Sequence, residues 1–170
     1  MGGGPSFRTE YESQNELPEF NFLIRPTIKE YDKFVGLLDK ILSENIDKSF
    51  FGDKVPLERE EKRQDGKIVV IQKGTISLVE EFLEGNFQTP QPELTTEIIE
   101  AFKKVRKLRQ PQAHAIREDD FVPALFEEQR ELVKSVLNAV SLLRQVFGIH
   151  PAAKEIKADK DIEAGDIWIL

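Results

Sequence analysis

The chain contains no cysteine, which excludes a disulfide framework, a zinc–thiolate site and a thiol nucleophile. That absence fits a reducing compartment, and a cytoplasmic location is the expectation. Imidazole is scarce as well. His114 and His150 are the whole stock, too few for an all-histidine metal site in one chain. Neither a metal nor a cofactor is expected. No apolar run approaches the roughly 20 residues needed to cross a bilayer, so no membrane partner is expected. Positive charge is in the minority, with 24 Lys and Arg against 31 Asp and Glu and a net charge of -7. This argues against a general nucleic-acid coat, because nonspecific phosphate binding needs a dominant positive field. A small basic pocket on an acidic body is still allowed.

What is present suits one globular domain with tails. A chain of 170 residues buries roughly 70% of its unfolded surface and needs no covalent staple. Residues 1–17 read as a flexible arm, 18–153 as a single helical domain and 154–170 as a C-terminal tail. Met1-Gly-Gly-Gly-Pro-Ser6 formally fits an N-myristoylation pattern, but a flexible glycine-rich leader is the reading taken. No apolar segment of a secretory signal follows it. The tail becomes apolar around Trp168, and its sequence does not choose between packing on the core and adding a strand to an edge.

Periodicity then locates the elements. Phe20, Phe22 and Ile24 alternate as a short extended segment before Pro26. Thr27 and Glu30 have capping-box spacing. Ile28, Tyr31, Phe34, Val35, Leu38, Ile41 and Leu42 follow at helical spacing and predict a helix to about Glu44. Leu57–Arg63 and Lys67–Gln72 flank Asp65-Gly66 and predict a β-hairpin with a charged, exposed first arm. Thr75 is expected to cap a short helix carrying Ile76, Val79, Phe82 and Leu83 and closed by Gly85. A second long helix is expected from Glu93 to Gln110. The last should start at Asp119 or Asp120, carry Pro123 in its first turn and end at Gly148. Its apolar residues, among them Leu132, Val133, Val136, Leu137, Val140 and Leu143, cover about half its circumference. A helix with one neighbour needs an arc of only about 100°. The excess implies burial on two sides, within one bundle or across a dimer interface.

One constellation has chemistry in it. At about 100° per residue, Ile98, Phe102, Val105 and Arg109 share one arc, while Lys103, Lys104 and Lys107 lie opposite. Arg109 therefore points inward, and an inward guanidinium requires an anion. One candidate is an internal Asp or Glu, unless the side chain simply snorkels past the end of the stripe to water. The other comes from outside the chain. Pro111 breaks the helix, which lets His114 swing back toward Arg109. Arg144 and His150 have similar spacing, but His150 follows the end of its helix.

Arg109-Gln-Pro-Gln-Ala-His114 resembles the Arg–polar–His motif of the HEPN superfamily, with Gln110 where that family commonly shows Asn, Asp or His. The likeness covers roughly residues 93–150. It implies a mainly α, HEPN-like helical bundle in which the β-hairpin is an insertion. It also implies a homodimer and a metal-independent endoribonuclease of toxin or defence type, with RNA as substrate and a cognate antitoxin or defence partner. Arg109 and His114 would be catalytic, and Arg106, Gln110 and Arg117 would contact RNA. The alternative is a non-catalytic HEPN-like dimerisation or interaction module. The chemistry is self-consistent. Histidine can move protons near neutrality, and the arginine fork can hold two phosphate oxygens as charge develops on them. A two-fold dimer would unite two such pairs.

Overall fold

The computed structural model describes residues 25–87, 92–110 and 118–148. Within them lie α1 (Ile28–Asp39), β1 (Glu58–Lys62), β2 (Ile68–Gln72), α2 (Thr75–Asn86), α3 (Pro92–Arg109) and α4 (Leu125–Gly148). The fold is mainly helical with a small antiparallel hairpin, as the periodicities predict. The extended segment expected before Pro26 and the Trp168 tail lie outside the described residues. Among the described residues, no helix is long and apolar enough to cross a membrane.

The first helix forms where the stripe predicts it, burying Tyr31, Phe34, Val35, Leu38 and Leu42. Its capping box is half made. Thr27 accepts the Glu30 amide at 3.4 Å, but Glu30 accepts from the amide and Nε of Arg25, each at 2.9 Å. The Thr27 amide donates instead to the Arg25 carbonyl at 2.8 Å. The helix does continue to Glu44, but Lys40–Glu44 is a π-turn. There the Asn45 amide donates to the Lys40 carbonyl, five residues back, at 3.0 Å. Ser43 favours the wider turn, because its hydroxyl donates to the Asp39 carbonyl at 2.8 Å and competes with the regular ladder.

The expected start of the last helix is corrected, since α4 begins at Leu125 rather than at Asp119 or Asp120. Pro123 is the reason: a proline disfavours helical geometry in the residue before it. The stretch ahead of α4 serves α1 instead. Asp119 accepts the Lys29 amide at 3.0 Å. The Asp120 carbonyl accepts the Ile28 amide at 3.1 Å, and the Val122 amide donates to the Pro26 carbonyl at 2.7 Å. The Asp119 carboxyl is consequently held below its ordinary value of 3.8, first by the Lys29 amide and then by the Thr27 hydroxyl. A carboxylate depressed in this way adds stability above its unfolded pKa and loses it as pH falls through the folded value. Acidification below 3.8 is thus expected to weaken the α1 start. Melting temperatures followed against pH should fall less steeply in Asp119→Asn than in the native chain. An identical acid limb in both would refute the linkage.

At the centre, α3 packs against α1, α2 and α4. Ile98, Ile99, Ala101, Phe102 and Val105 are all buried, while Lys103, Lys104 and Lys107 face solvent as the wheel predicts. Helix α2 differs in detail from the sequence reading. Gly74, not Thr75, is its N-cap, and Leu78 is fully buried where Ile76 is only partly covered. The helix also passes Gly85 to end at Asn86, whose side chain donates to the Phe82 carbonyl at 3.0 Å. Phe82 anchors an aromatic cluster, its ring lying between 5.3 and 6.0 Å from Phe50, Phe51, Phe87 and Phe147. On α4, Leu132, Val136, Ala139, Leu143 and Val146 are buried. Leu137 and Val140 are exposed, so one edge of its apolar arc is uncovered among the described residues, while Val133 and Phe147 pack against the core.

The hairpin has the expected turn. Gly66 adopts a φ of 81°, its amide donates to the Arg63 carbonyl at 2.9 Å, and the Arg63 amide donates to the Lys67 carbonyl at 2.8 Å. This is a three-residue loop with glycine in the left-handed position. Its base is tied down where Lys48 Nζ donates to the Lys73 carbonyl at 2.9 Å and Lys73 pairs with Glu81 at 2.6 Å.

Candidate functional site

The arginine-bearing end of α3 lies against the α1–π junction. Asp39 closes α1 on the same i, i+4 row as Val35 and Ser43, so it enters the bundle with the apolar stripe. Its side chain is 1% exposed. A carboxylate buried so deeply is tolerated only with partners, and α3 supplies them. Arg109 Nη1 donates to Asp39 Oδ2 and, at 2.8 Å, to Glu44 Oε1. Arg106 Nε lies 3.0 Å from Asp39 Oδ1, close enough for charge attraction but not aligned as a hydrogen bond. Its Nη2 donates to the Ser43 hydroxyl. The same hydroxyl lies 3.0 Å from Asp39 Oδ1 and closes the network.

The π-turn explains how two carboxylates reach one guanidinium. In an α-helix residues five apart diverge by about 140°. An i to i+5 register stacks them nearly one above the other, which brings Glu44 round to the Asp39 side. The Arg109 guanidinium is therefore held above its ordinary pKa, first by the hydrogen bond to Asp39 and then by that to Glu44. It stays charged at any physiological pH.

The network is open on one side. Arg109 is 32% exposed and lines a cleft of about 420 Å³ with Lys33, Gly36, Leu37 and Lys40. Lys33, Gly36 and Leu37 of α1 and Lys40, its C-cap, stand at i, i+3, i+4 and i+7, so they share one face. Gly36 leaves open space on that face, since a Cβ there would meet nothing within 4 Å. Both bonds that Arg109 makes to described residues use Nη1. Its Nε and Nη2 edge donates to none of them, and that edge has the spacing of two phosphate or carboxylate oxygens.

Of the residues singled out from the sequence, the structure brings Arg106 and Arg109 together on Asp39. Inward orientation of Arg109 is borne out, and an internal carboxylate meets its need for an anion. Gln110 is exposed, its amide donating to the Arg106 carbonyl at 3.2 Å. His114, Arg117 and His150 lie outside the described residues, while Arg144 is exposed on α4. Sequence reasoning missed Lys33, Asp39, Lys40, Ser43 and Glu44. Asp39 left a signal, a carboxylate one turn after Val35 and beside Leu38 in an apolar stripe. Glu44 left none, because α-helical spacing points it elsewhere. Among the described residues, no cluster of three or more His, Asp or Glu side chains is placed to hold a metal ion. No protein-family model, curated protein or solved structure matches this chain.

Proposed function

We propose that the chain is an HEPN-like RNA-binding protein that acts as a metal-independent endoribonuclease of toxin or defence type. The observation that carries this reading is the Arg109 cleft, which a charged guanidinium fixed through Nη1 lines together with Lys33 and Lys40. Fixing one side of the fork removes rotamer entropy that phosphate binding would otherwise cost. In the cleft and its supporting network, four cations (Lys33, Lys40, Arg106, Arg109) face two carboxylates (Asp39, Glu44), so the local balance is positive on an acidic protein.

In this reaction the 2′-oxygen of a ribose attacks the adjacent phosphorus and the 5′-oxygen leaves, giving a 2′,3′-cyclic phosphate. Arg109 would hold the phosphate oxygens as their charge grows. His114, five residues past Arg109, would supply the proton transfer.

A second reading has its own observation. The Asp39 and Glu44 pairs already compensate Arg109, which favours a non-catalytic HEPN-like interaction module whose arginines are structural. One experiment separates the two. Lys33→Ala/Lys40→Ala alters only exposed side chains and should leave the melting temperature unchanged. For an RNA-binding cleft, the affinity for a single-stranded RNA should fall and the salt slope should shrink by roughly 0.7 per lost phosphate contact. The native chain should cleave a mixed RNA pool in EDTA, and His114→Ala should not. A native chain that neither binds nor cleaves RNA at low salt would leave the interaction module standing.

A further inference from the structure

The hairpin has two very different outer edges. Every residue of β1 is charged, Glu58-Arg59-Glu60-Glu61-Lys62, and every one is exposed. Charge of this density is a standard protection of a free edge against pairing. Strand β2 is Ile68-Val-Val-Ile-Gln72, with no charge in it. It is equally uncovered, since the sheet has only two strands among the described residues. Ile68 is 65% exposed and Val70 60%, among the most exposed large apolar side chains described. No further strand covers them among the described residues.

The register says which backbone groups are free. Val69 opposes Glu61, Val70 opposes Glu60 and Ile71 opposes Arg59. At the two ends of the ladder, the Arg63 amide donates to the Lys67 carbonyl and the Lys73 amide to the Leu57 carbonyl. Hydrogen-bonded positions alternate along an antiparallel pair. Residues 67, 69, 71 and 73 therefore turn their N–H and C=O toward β1, and Ile68, Val70 and Gln72 turn theirs outward. The middle residue of the strand is Val70, one of the outward set.

We propose that β2 pairs antiparallel with β2 of a second copy of this chain, about a two-fold axis at Val70. Val70 would exchange both backbone bonds with the partner's Val70, and Ile68 would pair with the partner's Gln72. That register satisfies every outward group of the strand. It also gathers Ile68 and Val70 of both copies on one face of a four-stranded sheet, in the order β1-β2-β2-β1. A second copy is the occupant that closes the assembly. Self-pairing consumes both apolar edges and leaves only the charged β1 edges outside, so growth stops at two. A foreign strand would leave its own far edge unprotected. A five-residue strand pair falls well short of the roughly 1,200–2,000 Å² of a stable interface, so this dimer dissociates on dilution. The inference does not depend on the RNA reading, because the hairpin contributes no residue to the Arg109 cleft.

The absence of cysteine makes the test clean. A hydrogen-bonded antiparallel pair sets opposing Cα atoms about 5.5 Å apart, within disulfide range. Under mild diamide oxidation, Val70→Cys should become a disulfide-linked dimer, while Glu60→Cys, equally exposed on β1, should stay monomeric. Sedimentation velocity of the native chain should show a monomer–dimer shift as concentration rises toward millimolar. Val70→Lys should abolish that shift without changing the far-ultraviolet circular dichroism, and Val70→Thr should retain it. A native chain that stays monomeric throughout, with no cross-link at Val70→Cys, overturns the proposal. So does a dimer that survives Val70→Lys, which would assign the interface elsewhere, such as the uncovered arc of α4.

Discussion

Replacing Asp39 by alanine is expected to destabilise the fold by about 2–4 kcal/mol, a little under the range for breaking a fully buried ion pair because both arginines keep partial access to water. The loss would be a large fraction of the 5–15 kcal/mol that typically separates folded from unfolded chains. Its cause is specific. Without the carboxylate, Arg106 and Arg109 confront each other across an apolar junction, and the Ser43 hydroxyl loses one acceptor. Asp39→Asn preserves shape and one acceptor but not charge, and should recover only part of the loss. Glu44→Gln should cost under about 1 kcal/mol, since an exposed pair contributes little. Urea unfolding of the three variants checks the order. A midpoint for Asp39→Ala within error of the native chain would mean that the arginines find water readily and the network is peripheral.

Phe82→Ala should be comparably severe, about 3–5 kcal/mol, through the cavity left by a large aromatic. Phe82 is 6% exposed, and its ring touches four others drawn from three separate parts of the chain. Phe50 and Phe51 come from the 3-10 turn Lys48–Phe51, Phe87 follows α2, and Phe147 lies in the last turn of α4. Removing the shared member takes away four ring contacts and leaves only Phe50–Phe51, Phe50–Phe147 and Phe87–Phe147 around the gap. Phe82→Leu, which keeps most of the volume, should lose less than about half as much. A thermal melt distinguishes them, and equal losses would show that the edge-to-face geometry rather than the volume carries the energy.

The two substitutions also separate stability from the proposed chemistry. Phe82 lies outside the Arg109 cleft, so its variant should keep whatever RNA affinity the folded fraction has. Asp39→Ala leaves the Arg109 guanidinium anchored only by the exposed Glu44, and affinity should drop even at temperatures where the variant is folded. A mobile fork pays more entropy to bind. If RNA affinity instead rises in Asp39→Ala, the carboxylate acts mainly as a competitor for the phosphate.

Much of this molecule is dictated locally. The stripe from Ile28 to Leu42, the Asp65-Gly66 turn and the arc of Ile98, Phe102, Val105 and Arg109 all reappear in the structure, because each rests on a short-range period or a single backbone angle. The inward aim of Arg109 was legible for the same reason, since a helical wheel needs only its own helix. Its partner was not, because Asp39 lies seventy positions away and only packing of α1 on α3 brings them together. Glu44 was hidden further by the π-turn, which shifts the register on which any wheel depends. Likewise Asp119 looked like the cap of the helix after it. Pro123 delays that helix, and the fold sends the carboxylate to α1 instead. Sequence alone thus determined the main helices, the hairpin and the buried faces of α1 and α3. Tertiary structure decided which charges meet, because a buried ion pair is a property of two surfaces, and a sequence displays only one surface at a time.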